Sequence, residues 1–270
     1  MANWNIIRTI NEGGFGKVYE VQETTTKQQA ALKELKRVDT LNVKRFQREI
    51  DTLKSFTHDH IIKIYDGNIN GSGEYGPFYV MEFMAGGSLR AVMDGIIKNQ
   101  NKLFNAKWAF NTIILPVLDA IEYAHSRGTY HRDLKPDNLL FTTAQHDFIK
   151  VADWGIGKDI NRNSIALTIG GIGTPGYCSP EQWFANATVD GKTDIYSLGI
   201  IFYEMLTGTR PQIYNNSGQT FPVALPSTKN TSVPPQMDSI ILKMMAYSQS
   251  NRYQTISQVK TELTTIYRSL

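Results

Sequence analysis

Only one cysteine, Cys178, stands among the 270 residues, so the chain can hold neither an internal disulfide framework nor a cysteine-built zinc site. A strong charge of one sign is also missing. The formal net charge of +3 is too small to argue for a nucleic-acid partner or for capture by an acidic membrane surface. No apolar run approaches the roughly 18 residues of a membrane span. The best candidate, IILPVLDAIEYA, is interrupted by Pro116, Asp119 and Glu122. The N-terminal MANWNIIRTI lacks the basic start and apolar core of a signal peptide. The expectation is therefore a cytosolic (cytoplasmic) chain with no membrane insertion. No internal repeat is visible, and the only biased stretch, YNNSGQTFPVALPSTKNTSVPPQ, reads as loop. Three Asn-x-Ser/Thr sequons, at Asn186, Asn215 and Asn230, read as chance matches in an Asn- and Thr-rich chain. What is present is an ordinary globular composition, 41% hydrophobic and 20% charged, long enough to bury a large core.

The pattern changes character part-way along the chain. WNIIRTI, KVYEVQE, QQAALKEL, HIIKIYDGNI and FYVMEF are short, apolar or β-branched, and bounded by turn residues, which predicts strands. One helix interrupts them at about 41–56, with Phe46, Ile50 and Leu53 at helical spacing. After MAGGSLR the periodicity becomes helical: SLRAVMDGIIKN, NAKWAFNTIILPVLDAIEYAHSRG, TDIYSLGIIFYEMLTG, MDSIILKMMAYSQ and QVKTELTTIYRSL. Gly208 is placed to stop the third of these. The sequence thus predicts an α+β organisation, with a small, mostly antiparallel sheet lobe followed by a larger helical one. The boundary falls at Glu82–Gly87, where Gly86 and Gly87 give the connection freedom.

Several charged residues sit where that pattern does not expect them. Lys33 alternates with inward-facing Ala31 and Leu35, and an inward lysine must meet an anion. Glu49, on the apolar stripe of the 41–56 helix, is the obvious partner. INEGGFGKVYEV, between the first two strands, can bring backbone N–H groups close to phosphate oxygens because glycine has no Cβ in the way. HRDLKPDN, residues 131 to 138, crowds two acids, two cations and a carboxamide into eight positions, which a polar turn alone would also explain. In IKVADWGIGK, Asp153 closes a predicted strand and precedes Gly155, a placement suited to a metal-binding carboxylate, though an isolated Asp-x-Gly would be no more than a turn. GTPGYCSPEQ (173–182) and KTDIYSLG (192–199) follow.

This ordered set resembles the protein kinase superfamily of the Ser/Thr type: a Gly-rich loop, AALK, a helix Glu, HRDLKPDN, DWG, SPE and DIYSLG. It spans nearly the whole chain. The resemblance implies a bilobal kinase-like fold in one domain, 1–270, with an N-lobe of about 1–82, a hinge at 82–87 and a C-lobe at 88–270. It implies ATP and Mg²⁺ (or Mn²⁺) as cofactors and proteins as substrates. Gly13, Gly14 and Gly16 would cover the phosphates, and Lys33 with Glu49 would hold the α and β groups. Asp153 and Asn138 would ligate metal, and Asp133 would accept the substrate hydroxyl's proton. Lys135 would neutralise γ-phosphate charge, and with Thr174, expected against the catalytic loop, it marks the Ser/Thr type. Val18 and Ala31 would lie above the purine, Leu140 beneath and Met81 behind, with backbone bonds from Glu82 to Met84. Glu181 would pair with Arg252 in a buried ion pair, and Asp194 would hold the catalytic-loop backbone. Arg132 would grip a phosphate on the 153–181 segment, with Thr168 expected to carry it rather than Ser164.

Three departures stand out. Asn11 replaces the first glycine of the loop, where its tolerance of positive φ would preserve the turn. Trp154 replaces the usual Phe, in a column with Leu53, Ile64 and His131, and its indole N–H requires a partner. Segment 212–236 lacks helical periodicity where many kinases carry a substrate-docking helix. The alternatives are a pseudokinase acting as a nucleotide-responsive binding module and a small-molecule kinase. Retention of Lys33, Glu49, Asp133, Asn138 and Asp153 argues against the first, and the full GT…PE segment against the second.

Overall fold

The computed structural model describes residues 3–13, 16–71, 75–100, 102–154, 176–184, 187–213 and 221–268. Its first part is a five-stranded antiparallel sheet built from β1 (Trp4–Glu12), β2 (Gly16–Glu23), β3 (Gln29–Leu35), β4 (Ile64–Asn68) and β5 (Phe78–Glu82), in the order β1-β2-β3-β5-β4. Alternation along β3 and β5 sorts side chains between the two faces, as a strand's period of two requires. Ala30, Leu32, Phe78 and Val80 close one small cluster with Val21, whereas Ala31, Leu35, Tyr79 and Met81 join the main core. Helix α1 (Thr40–Ser55) covers that second face with Phe46, Glu49, Ile50 and Leu53. Its start is fixed by the Asp39 side chain, which accepts from the Asn42 N–H at 2.9 Å, a cap worth about 1 kcal/mol.

The run HIIKIYDGNI is a strand only from Ile64. Its first residues serve another purpose: the Val151 N–H donates to the His60 carbonyl at 2.8 Å, and the Ile62 N–H to the Val151 carbonyl at 3.0 Å. This parallel bridge joins the sheet lobe to β8 (Ile149–Val151), which pairs with β7 (Leu139–Phe141), itself beside β6 (Gly87–Ser88).

The remainder is helical. α2 (Leu89–Met93) runs on as a π-helical turn, Asp94–Asn99. α3 (Ala106–Ala109), a π-helical stretch Phe110–Ile114 and α4 (Leu115–His125) form one continuous rod. Pro116, which has no N–H to donate, is accommodated because the wider turn stands immediately before it. α5 (Gly191–Thr207) is buried on nearly every side and ends at Gly208, where φ is +77° and the N–H returns to the Glu204 carbonyl at 2.8 Å. The four-residue α6 (Pro226–Lys229), α7 (Gln236–Met244) and α8 (Ile256–Arg268) complete the lobe. Segment 212–236 thus holds, among its described residues, only α6 and the first residue of α7. Asn230 is buried with its amide donating to the Phe104 and Leu206 carbonyls, so its sequon is structural. The sequons at Asn186 and Asn215 lie outside the described residues. No helix among the described residues is long and apolar enough to cross a membrane.

Candidate active site

The cleft between sheet and helices gathers the charged residues singled out in the sequence. Lys33 lies on β3 with its Nζ 2.8 Å from Glu49 Oε1, and it also contacts Asp153 Oδ1. Burial by itself would strip the proton from Lys33, but the carboxylates of Asp153 and Glu49 outweigh it and hold the ammonium well above the usual lysine range. Burial pushes Glu49 upward, with Lys33 drawing it back. Lys33 is thus held between Glu49 and Asp153, of which Asp153 is the open one, its side chain 48% exposed.

Tyr79 is a contributor that the sequence did not single out. From β5 its hydroxyl donates to Glu49 Oε1 at 2.8 Å, its ring stacks on Phe46 of α1 at 5.2 Å, and Lys33 Nζ sits 5.5 Å from its centroid. A tyrosine in an apolar strand reads as a core aromatic, so no signal in the sequence pointed to this bond. Burial raises its hydroxyl well above the usual tyrosine range, keeping it a donor.

Across the cleft, residues 131 to 138 fold onto α5. Asp194 is fully buried, and its carboxylate accepts from the His131 and Arg132 N–H groups at 2.8 and 2.7 Å and pairs with His125 at 2.8 Å. Burial works to raise this carboxyl, yet His125 and the loop amides hold it below the usual range. The His131 ring is pinned at both nitrogens: Nε2 donates to the Ala152 carbonyl at 3.0 Å and Nδ1 accepts from the Asp133 N–H at 3.3 Å. Asn138 Nδ2 donates to the Asp133 carbonyl at 2.9 Å, and Lys135 Nζ lies 3.8 Å from Asp133 Oδ2. Arg132 and Asp153 both adopt left-handed backbone, φ +63° and +55°. Such strain costs on the order of 1–3 kcal/mol and persists only where neighbours fix it.

Of the residues expected around a purine, Ala31 and Met81 face each other across β3 and β5. Ala31 and Met81 are buried, while Val18, Met84 and Leu140 pack partly buried against the same core. Glu82 does more than its backbone predicts: its Oε1 pairs with Lys150 Nζ at 2.8 Å and accepts from the Lys63 N–H at 2.6 Å, fastening the end of β5 to β8. In the Gly-rich turn, Gly13 N–H donates to the Gly16 carbonyl at 3.0 Å. A Cβ on Gly16 would stand 2.7 Å from the Glu34 carbonyl oxygen, whereas one on Gly13 would meet nothing within 4 Å among the described residues. Asn11 departs from expectation. It is an extended β1 residue paired with Val18 and has no positive φ, so its tolerance of left-handed backbone is not what preserves the turn. Gly14, Ser164, Thr168 and Thr174 lie outside the described residues.

Trp154 is fully buried, 4.9 Å from the His131 ring and 5.2 Å from Phe56, within the core that also holds Leu53 and Ile64. Its Nε1 finds the Val151 carbonyl at 3.4 Å, the partner the larger ring requires.

Comparison with known proteins decides the family. The family described as protein kinase domain matches residues 4–263. The chain belongs to the protein kinase family. Among its relatives, a probable serine/threonine-protein kinase of Clostridium acetobutylicum is 33% identical over 97% of this chain and 40% of its own length. The serine/threonine-protein kinase PknB of Mycolicibacterium smegmatis is 31% identical over 94% of this chain and 41% of its own. The chain thus spans about 40% of the length of the curated relatives it matches. The crystal structure of the Mycobacterium tuberculosis PknI kinase domain superposes with a TM-score of 0.71, at 23% identity, covering 97% of this chain and 95% of that one. At that identity the likeness speaks for the kinase fold alone.

Proposed function

We propose that this kinase-family chain transfers the γ-phosphoryl group of ATP to serine and threonine hydroxyls of protein substrates, as one domain with an N-lobe of 1–82, a hinge at 82–87 and a C-lobe at 88–270. The observation that carries the reading is the convergence of Lys33, charged between Glu49 and Asp153, with an Asp133 loop fastened to Asp194 and Asn138.

Phosphoryl transfer asks a protein chiefly for positioning and for charge opposite the phosphates. Lys33 supplies a fixed cation on the sheet side, and the space a Cβ on Gly13 would take is open among the described residues, which suits close approach of a phosphate oxygen. Asp133 accepts the proton of the incoming hydroxyl as its oxygen forms the new P–O bond and the bond to ADP breaks. Lys135, beside it, balances the γ-phosphate charge. For the metal, Asp153 and Asn138 provide a hard oxygen pair. Among the described residues no group of three or more His, Cys, Asp or Glu could hold a cation alone. That donor set fits Mg²⁺ or Mn²⁺, which take one or two protein oxygens and complete their shell from phosphates and water. Bound there, the ion would neutralise charge developing on the phosphate oxygens.

Activation-segment control belongs to the same reading. Arg132 Nε is buried without a hydrogen-bond partner among the described residues, which supports a site for an added anion. A phosphate on Thr168 would bring about −1.5 to −2 charge and acceptors for it. Incubation with Mg²⁺-ATP followed by intact mass and peptide mapping tests both parts: phosphate on Thr168 is expected, with Thr168→Ala slower and Ser164→Ala unchanged. Phosphate elsewhere would overturn the regulatory part. A folded, nucleotide-binding protein that releases no ADP and transfers nothing would favour the pseudokinase.

A further inference from the structure

Arg132 immediately precedes the proposed base, and its left-handed backbone demands that something hold it. Two of the three polar backbone groups around it are held from outside the 131–138 loop. Its own N–H goes to Asp194 Oδ1 at 2.7 Å. The next N–H, that of Asp133, goes to His131 Nδ1 at 3.3 Å. Its carbonyl accepts from Gln182 Nε2 at 2.9 Å. The peptide joining Arg132 to Asp133 is therefore held at both its oxygen and its nitrogen, and the oxygen's holder is fifty residues away in sequence.

Gln182 is suited to that task. It is buried, 3% exposed, in the short turn Pro180–Trp183. Its Oε1 accepts from the Ser179 N–H at 3.0 Å and from Ser179 Oγ at 3.1 Å, which fixes the amide's orientation and aims the NH₂ at Arg132. Its neighbour Glu181 is clamped by Arg252, and Ser179 Oγ also reaches Thr193 Oγ1 at 3.3 Å, so the turn is anchored to α5.

We infer that Gln182 is a positioning residue for phosphoryl transfer: its amide holds the Arg132–Asp133 peptide and so aims the Asp133 carboxylate, tying the base to the end of the 153–181 segment. This rests on the kinase reading and goes beyond it. A base misplaced by a fraction of an ångström lowers turnover but leaves the nucleotide's anchors, Lys33 and Asp153, untouched.

The test uses two variants of this chain. Gln182→Glu keeps acceptor oxygens toward Ser179 but loses the donor, and Gln182→Met keeps the volume without any polar group. For each, kcat on a protein or peptide acceptor, KM for ATP, the affinity for a fluorescent ATP analogue and the thermal midpoint are measured. A folded variant is expected to lose about 10- to 100-fold in kcat, the scale of a small misplacement. Its KM and nucleotide affinity should stay within about twofold of the parent. Parental kcat in either folded variant would overturn the inference. So would equal losses in turnover and nucleotide affinity, or failure of both variants to fold, since each makes Gln182 merely structural. Absence of transfer by the parent chain would instead overturn the kinase reading itself.

Discussion

At the scale of single residues, two carboxylates in one cleft are assigned different work. Asp153 is half exposed and already in contact with Lys33, which suits the metal-binding role proposed for it. Asp133 is buried in the loop held by Asp194, His131 and Asn138, with Lys135 beside it. Asp153→Asn is therefore expected to weaken Mg²⁺-ATP binding as well as turnover, by about 10-fold or more in affinity, since a charged ligand is lost. Lys33→Met should abolish transfer. Titration of a fluorescent nucleotide with and without Mg²⁺ checks the first; undiminished Mg²⁺-dependent affinity in Asp153→Asn would contradict the assignment.

Lys33 and Glu49 could be found from pattern because each places a charge on an apolar face, one by strand alternation and the other by helical spacing. Asp133, Asn138 and Asp153 could not be found that way. They sit in polar turns, where acids are common, so their placement is equally that of ordinary turn residues, and only the resemblance assigned them roles. Gln182 gave no signal, because a glutamine after Ser-Pro-Glu reads as part of a polar turn.

At the scale of elements, α1 is clipped to the sheet twice by Tyr79, through Glu49 and through Phe46. The sequence predicts a Lys33–Glu49 pair, and the structure holds it formed with Tyr79 as a third member. Tyr79→Phe removes the hydroxyl and keeps the ring. A hydrogen bond to a charged group is worth about 1.5–3 kcal/mol, so a roughly 10-fold rise in the ATP concentration needed for half-maximal turnover is expected. The thermal midpoint should fall by several degrees as well, since the same bond stabilises the fold. Unchanged kinetics would mean that Lys33 and Glu49 hold α1 without the phenol. Where elements end was less visible. HIIKIYDGNI reads as one β-branched run, but only from Ile64 does it pair in the antiparallel sheet, because its first residues bond to β8. The π-helical stretch before Pro116 likewise leaves no trace in hydrophobic spacing.

At the scale of the whole molecule, one continuous core runs from Ala31 and Met81 in the sheet through Trp154 to the α5–α8 helices. Polar devices brace it. Arg252 commits all its donors: Nη1 and Nη2 to Glu181 at 2.7 and 2.9 Å, and the rest to the Ala246, Lys192 and Tyr247 carbonyls. Burial tends to raise Glu181, but Arg252 holds it below the usual carboxylate range. In the intact protein the contribution of Glu181 is thus fully present above its unfolded pKa of about 4.3. It is lost as pH falls through the lower folded value. Arg252→Met leaves a buried carboxylate without its counterion, at a cost of about 3–5 kcal/mol near neutrality. There burial alone raises Glu181, so the sign reverses and stability is lost as pH rises through the raised value. Denaturant midpoints should show the gap between variant and parent narrowing from pH 7 toward pH 4.5. A gap independent of pH would contradict the account of the pair.

The central claim is transfer of a phosphoryl group with Asp133 as the proton acceptor. Single-turnover transfer from γ-labelled ATP to a serine- or threonine-bearing acceptor, measured for the parent and Asp133→Asn beside their nucleotide affinities, tests it most directly. The account predicts label on serine or threonine, a fall of roughly 10²-fold or more in the variant, and nearly equal affinities. Transfer by Asp133→Asn at the parental rate, or a loss confined to nucleotide binding, would contradict it.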